Sequence, residues 1–497
     1  MQTSYDLVQY PSLPFDRSHP DQLAVMATLF GLEPAPPEKC RVLEIACADG
    51  GNIIPMACEL PESSFRGFDL AQAVVENGQR MIADLGLSNI RIDQMDLMDA
   101  GPELGEFDYI IAHGLYSWVP EPVRDKLMSV TKSLLAPQGV AYISFNALPG
   151  CRIREMFREM LLIHLRGVTD PNERIKQARE FLDCVRQSKE RSGDMGNFLR
   201  IEAEFLLDQG PVVLFHDELG EVYHPVFIHD FAAHAGRFGL QFLAEASFPE
   251  MQARKFPQEV LDRTEQWCGG DRVMRELYYD FLRGRVFRRT LLCHENLQVS
   301  DELIEDRMAR LHAASIAKPI SSTPNLKDGV AEEFTGSRSA SAKTAHPLAK
   351  AALVLLGKAW PQSLSFDELV TSAARLIGEK PDPESMIRIL FGTFAAGLVE
   401  LHAFPPRCVA KPGKFPATTV LARFQAKQGK KITTLRHTTV EAEGELERHL
   451  LTLLDGSRDF TDLVRELAPE IAGSRDEAAR RLQDNLQKLA RFGLLVA

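Results

Sequence analysis

Three carboxylates, Glu44, Asp69 and Asp96, stand at the ends of short apolar runs, and a turn of small residues separates the first two. Asp69 lies nineteen residues after Gly50. A carboxylate at that distance beyond such a turn can accept hydrogen bonds from both hydroxyls of a ribose, as the acidic position of dinucleotide-binding folds does. Ala46, Ala48, Gly50 and Gly51 let the backbone come close to a ligand, and the helix they lead into offers N–H groups and a positive dipole end. Asp96, with the backbone N–H of Leu97 beside it, could read an adenine edge. The chemistry is that of an adenosine-bearing ligand. Because Ala46 stands where the first glycine of GxGxxG would be, the motif is not present, which counts against a nicotinamide dinucleotide.

The elements that must position these residues follow from the pattern. Val42, Leu43 and Ile45 are branched and apolar, as a strand buried on both faces of a parallel sheet must be. Further strands are expected at 65–70, 90–92, 107–112 and 140–145, with helical patterns between them. That alternation predicts an α/β fold with an open parallel sheet and ligands at the carboxyl ends of the strands, where Glu44, Gly50, Asp69, Asp96 and His113 fall. Downstream, 231–238 reads as a helix, 240–245 as a sixth strand and 285–293 as a seventh. Residues 150–224 are then an insertion of two or three helices, either a lid over the ligand or a layer packed on the sheet.

The runs LEIACADGGN, FRGFDL, MDLMD, FDYIIAHGLYSWVP and GVAYISFNALPG resemble class I S-adenosylmethionine (SAM) methyltransferases, in the bacterial group whose catalytic domain is joined to a methyltransferase regulatory domain. The resemblance extends to HDELGEVYHPVF (216–227) and the carboxy-terminal region; Cys151 departs from it, standing where a Trp is expected after LPG. It implies a Rossmann-like seven-stranded SAM methyltransferase sheet with a helical insertion, SAM as cofactor, and a protein or peptide substrate, best read as protein lysine side chains. On these grounds Glu44, Ala46, Gly50, Asn52, Asp69, Leu70, Asp96, Leu97 and His113 form the expected cofactor-binding set. Glu44 would anchor the ammonium end, directly or through water, and Asp96 the adenine amino group.

His113, Tyr116 and Trp118 are the expected catalytic positions. A lysine amine must be held neutral and in line with the methyl group, and an aromatic slot lowers its pKa and stabilises an ammonium-like transition state by about 0.5–2 kcal/mol. The alternative for Tyr116 and Trp118 is a place in the core; for His113 the readings are orientation of the methionine end, a base, or a structural histidine. A small-molecule methyltransferase, or a SAM-binding scaffold, would share the same cofactor features. No NPPY-type segment follows the fourth strand, which disfavours nucleic-acid bases as acceptors.

The chain has 497 residues, enough for two to four domains. A net charge of −12 argues against general nucleic-acid binding. The eight cysteines include no CxxC pair, so neither a disulfide frame nor a metal site is indicated. The first twenty residues lack a signal layout and no apolar run approaches the ~18 needed to span a bilayer, so a cytoplasmic protein without membrane insertion is expected. The expected division is a methyltransferase domain at 1–300, with a regulatory region from about 215; a Ser/Ala/Lys/Thr/Pro-rich linker at 301–345; winged-helix-like, mostly helical units at 346–405 and 441–497; and a basic connector at 406–440. ALVLL, FDELV and ILFGTFAAGLVEL in one unit parallel LLTLL, FTDLV and NLQKLARFGLLV in the other, and Leu390 to Gly397 matches Leu486 to Gly493 at seven residues. Residues 383–396 carry only Arg388 as a base, unlike a groove-reading helix, so protein contact or homodimerisation is expected of these units. The connector carries seven basic residues between 411 and 436 and no acid, read either as a solvated loop or as a dock for an acidic partner.

Overall fold

In the computed structural model, which describes residues 10, 12–188, 193–253, 256–336, 340–471 and 474–496, the apolar runs form one seven-stranded sheet. Its strands are β1 (Arg41–Ile45), β2 (Ser64–Asp69), β3 (Ile90–Gln94), β4 (Phe107–Ala112), β5 (Leu135–Asn146), β6 (Leu240–Glu245) and β7 (Phe287–His294), in the order β3-β2-β1-β4-β5-β7-β6. Alternate side chains enter two cores: Val42, Tyr109 and Tyr142 on one face, Leu43, Ile110 and Ile143 on the other. β1 pairs in parallel with both β2 and β4, and β7 lies antiparallel between β5 and β6. The strand order reverses at β1, so the carboxyl ends of β1, β2 and β4 border the crevice where such sheets take ligands. The fourth and sixth strands have the expected limits; the fifth begins earlier, at Leu135 rather than 140.

Residues 150–224 form helices Cys151–His164, Pro171–Gln187 and Asp194–Asp208, followed by a short π-helical turn at Leu214–Glu218. They carry their own small core, with Phe157, Leu161, Leu182 and Leu214 fully buried. The amino-terminal helix Pro20–Leu29 is capped by the His19 ring, whose Nδ1 accepts from Asp21 N, and is buried between the sheet and the first carboxy-terminal unit.

The 301–345 segment is not a linker. It contributes β8 (His312–Ala314), the centre of a three-stranded sheet with β12 (Leu364–Ser365) and β13 (Glu400–His402). It also builds a second sheet from β9 (Lys318–Pro319), β10 (Glu332–Thr335) and β11 (Ser341–Thr344). The small residues that read as a linker include alanines that fit under helices: Ala313, Ala314 and Ala317 are buried, and a Cβ on Gly357 would collide with Ala317 O. Phe334 is fully buried, a contribution of about 2–3 kcal/mol.

The 406–440 connector is likewise folded. Helix Val420–Gln428 and the hairpin β14 (Lys431–Thr433) and β15 (Thr439–Glu441) share a core with the last unit, Ala422 and Ile432 packing with Leu450, Leu463 and Leu486. Its lysines at 411, 414, 427, 430 and 431 are exposed, whereas Arg423, which donates to Thr418 O and Leu454 O, and Arg436 dock within the chain. The parallel between the two units is a repeat of topology: each ends in a long helix, Pro383–Ala395 or Arg475–Arg491, closed by a glycine at φ +70°, Gly397 or Gly493. Among the described residues no helix is long and apolar enough to cross a membrane.

Candidate active site

The turn after β1 is tightly wound. Ala46 and Ala48 hold left-handed φ values of +58° and +49°, and Gly50 is at +82°. Ala46 therefore occupies a conformation glycine adopts at less cost, which is why a glycine is the commoner residue there. A Cβ on Gly50 would lie 2.5 Å from Ile92 Cδ1 and 2.8 Å from Ile54 Cδ1, so the turn sits directly on the core. Asp69, half-buried at the carboxyl end of β2, clasps it: Oδ2 accepts from Ala48 N and Oδ1 from Ala71 N, both at 2.9 Å. Two backbone donors thus orient this carboxylate toward the crevice before any ligand arrives.

Glu44 lies beneath the turn, 3% exposed, and burial raises its carboxyl from 4.5 to about 8. Oε1 accepts from Asn52 Nδ2 at 2.7 Å; Oε2 is buried with no hydrogen-bond partner. A buried acidic oxygen without a donor is suited to a ligand ammonium, and in that respect the cradle fits SAM. Asn52, expected to touch the ligand, is instead enclosed. Its Oδ1 accepts from Phe15 N and meets His437 Nε2, each at 2.9 Å, and its Nδ2 donates to Glu44 and to Ser18 Oγ. It acts on the site through Glu44.

At the next strand end, Leu70 is exposed and Asp96, also exposed, caps the 3-10 turn Leu97–Asp99 by accepting from Met98 N at 2.9 Å. Leu97 is buried under that turn. Asp69 and Asp96 are brought to neighbouring strand ends, with Met95 N donating to Asp69 O at 2.9 Å.

His113 follows β4. Its Nδ1 lies 2.9 Å from Tyr142 Oη, and its ring packs at 3.7 Å between centroids on Phe15. Burial, reinforced by Arg289, lowers its pKa to about 3, so the imidazole is neutral and too weak a base to hold a proton at pH 7. The structure separates the two aromatic residues expected to share a slot. Tyr116 turns into the core, 3% exposed, edge-on to Phe231 at 5.1 Å, with Oη 2.7 Å from His234 Nδ1; His234 Nε2 in turn is 2.8 Å from Asp125. It packs in the core, the alternative reading for this position. Trp118 faces the helical insertion: Tyr223 lies 5.2 Å from it, and the guanidiniums of Arg154 and Arg158 each sit 5.8 Å over its ring. The insertion's own cations occupy positions that were expected to receive a substrate ammonium. Cys151 is buried and its Sγ donates to Val286 O at 3.0 Å, so it packs the insertion onto β7.

Several residues of the site carry no sequence signal of their own. Ser12 accepts from Gly51 N at 2.9 Å, and Phe15 covers His113, so the amino-terminal segment lies across the turn. Pro20 after Ser18 and His19 marks a helix start, but nothing local says that the preceding residues fold back. Among the described residues no group of His, Cys, Asp and Glu could hold a metal ion.

Residues 42–139 match the family described as a methyltransferase domain, 210–294 a predicted methyltransferase regulatory domain, and 415–494 the PKMT C-terminal winged helix domain. The last match begins inside the segment expected as a basic connector. The uncharacterized protein RP789 of Rickettsia prowazekii is 31% identical over 474 residues, covering 93% of this chain and 85% of that protein. RP028 of the same organism is 35% identical over 229 residues, 46% of this chain and 92% of that one. The structure of PKMT2 from Rickettsia typhi covers 98% of this chain and 100% of its own, at 25% identity and a TM-score of 0.88; its complex with AdoHcy gives 26% and 0.89. The chain belongs to the class I SAM-dependent methyltransferases that carry a methyltransferase regulatory domain.

Proposed function

We propose that the protein methylates lysine side chains of other proteins, with SAM held by the turn after β1 and the ends of β2, β3 and β4. SAM supplies a sulfonium-activated methyl group. In this reading Asp69 receives the ribose hydroxyls, Glu44 the ammonium, and Asp96 with the Leu97 backbone the adenine edge, between the exposed side chains of Leu70 and Met98. Neutral His113, fixed between Tyr142 and Phe15, shapes the methionine end of the site. The apolar surroundings of Phe15, His113 and Phe287 exclude water and favour the uncharged form of an approaching amine.

The observation that carries the cofactor assignment is the Asp69 carboxylate oriented by two backbone donors beside the unpartnered Glu44 oxygen. For the substrate, the support is the full-length likeness to PKMT2 together with the lysine preference that the resemblance implies. The test is methyl transfer from tritium-labelled SAM to a bacterial lysate separated by molecular size. Label retained in the protein fraction supports a protein acceptor. Label confined to small molecules would overturn it in favour of a small-molecule methyltransferase, and no transfer at all would favour a SAM-binding scaffold.

A further inference from the structure

The carboxy-terminal winged-helix unit reaches the methyltransferase site through the tip of the hairpin formed by β14 and β15. Thr434 N donates to Thr438 O at 2.8 Å and His437 N to Thr434 O at 3.0 Å, which closes the tip and holds His437 at φ +52°, the left-handed region that a residue with a side chain adopts at a cost. His437 is nonetheless 3% exposed, driven between the amino-terminal segment and the methyltransferase sheet with its ring 5.1 Å from that of His19. The neighbouring Arg436 stacks over Trp360 at 4.1 Å, donates to Pro361 O at 2.9 Å and pairs with Glu400. Two successive side chains therefore pin this unit to the first carboxy-terminal unit and to the site.

Hydrogen-bond directions fix what His437 does there. Phe15 N can only donate, so the atom of Asn52 that it meets is the carbonyl oxygen, and His437 Nε2 at 2.9 Å from the same oxygen must carry the proton. Nδ2 then has two hydrogens to give, and it gives them to Glu44 Oε1 at 2.7 Å and Ser18 Oγ at 3.1 Å. A flipped amide would set N–H against N–H at both Phe15 and His437 and would take the donor away from Glu44. The amide has one orientation because donors from two distant parts of the chain demand it.

We propose that His437 is a positioning residue for methyl transfer: through Asn52 it sets the buried carboxylate of Glu44, so that docking of the winged-helix unit and occupation of the SAM site reinforce one another. This rests on the reading that Glu44 faces the SAM ammonium. Loss of the His437 donor leaves the Asn52 oxygen to Phe15 N and Ser18 Oγ, so Asn52 keeps its orientation but holds the Glu44 carboxylate less firmly. Because coupling between two sites is reciprocal, SAM must in turn tighten the hairpin tip.

Calorimetric titration of the full-length protein with SAM tests the proposal. His437→Ala is expected to weaken binding about three- to tenfold, the effect of one lost hydrogen bond, and to raise KM for SAM with kcat within about twofold. His437→Gln, whose amide can donate to the same oxygen, is expected to recover most of the affinity. On a Glu44→Gln background the added loss from His437→Ala is expected to shrink below about twofold, as a shared path requires. Unchanged affinity in His437→Ala alongside weakened binding in Glu44→Gln would overturn the role of His437 alone; unchanged affinity in Glu44→Gln would instead overturn the site reading beneath it. Independent, multiplying losses would also contradict action through Glu44. Should His437→Ala fail to fold, hydrogen exchange of the wild-type protein decides: the amides of 434–442 are expected to slow when SAM is added, and equal exchange with and without SAM contradicts the coupling.

Discussion

Removing the carboxylate of Asp69 should cost SAM affinity without costing the fold. In Asp69→Ala, two charge-assisted hydrogen bonds to ribose hydroxyls are lost. At about 1.5 kcal/mol net each they amount to about 3 kcal/mol, or roughly 150-fold in Kd. Asp69 is half-buried, so solvent weakens these bonds, and the expected range runs from about tenfold to a few hundredfold. The same substitution deletes the acceptors for Ala48 N and Ala71 N, about 1 kcal/mol apiece. Ala48 at φ +49° then has less to hold it in its left-handed turn, so part of the affinity loss comes from a loosened loop. Thermal unfolding should shift by only a few degrees, roughly 2–4 °C per kcal/mol in a domain of this size. Isothermal titration calorimetry with SAM, on protein whose circular dichroism matches wild type, is the assay. Asp69→Asn, which keeps one acceptor, should fall between the two. A folded Asp69→Ala protein that binds SAM within threefold of wild type would refute the reasoning.

Glu44 and Tyr116 give further expectations. With its carboxyl raised to about 8 by burial, Glu44 binds a proton more tightly folded than unfolded, so its contribution to stability without SAM is greatest below about pH 4.5 and is lost as pH rises toward 8. A bound ammonium reverses that preference, and at pH 7 SAM binding should release up to about one proton, read as an enthalpy that differs between phosphate and Tris buffers. Glu44→Gln should abolish the difference, while Glu59, also raised to about 8 by burial, is present in both proteins; buffer-independent enthalpy in the wild type would contradict the assignment. Tyr116→Phe should leave KM for SAM and kcat near wild type and lower stability by about 1–2 kcal/mol, since His234 loses a partner, as a denaturant melt would show. A tenfold fall in kcat at unchanged stability would restore Tyr116 to the reaction.

Most of the sheet was legible because each central strand is apolar on both faces and each is followed by a helix of opposite periodicity, a pattern that leaves few topologies open. Asp69 was legible for a related reason: the end of the second strand lies beside the turn after the first. Short elements were not legible. β8 has three residues, two of them alanine, and its burial depends on helices that lie far away in sequence. Tyr116 and Trp118 share one 3-10 turn, where a shift of two residues sends one side chain inward and the other toward the insertion, and spacing alone cannot decide which. Asn52 looked like a ligand residue because of its place after the glycines; the partner that claims it, His437, is 385 residues away.

Tandem mass spectrometry of the modified acceptor tests most directly whether methyl passes from SAM to a protein lysine. After incubation with SAM bearing a trideuterated methyl group and a bacterial protein fraction, labelled tryptic peptides are expected to carry the deuterated methyl on lysine Nζ, with far less label when Asp69→Ala replaces the wild type. Label found only on other side chains, only in small molecules, or equally with the Asp69→Ala protein would contradict the account.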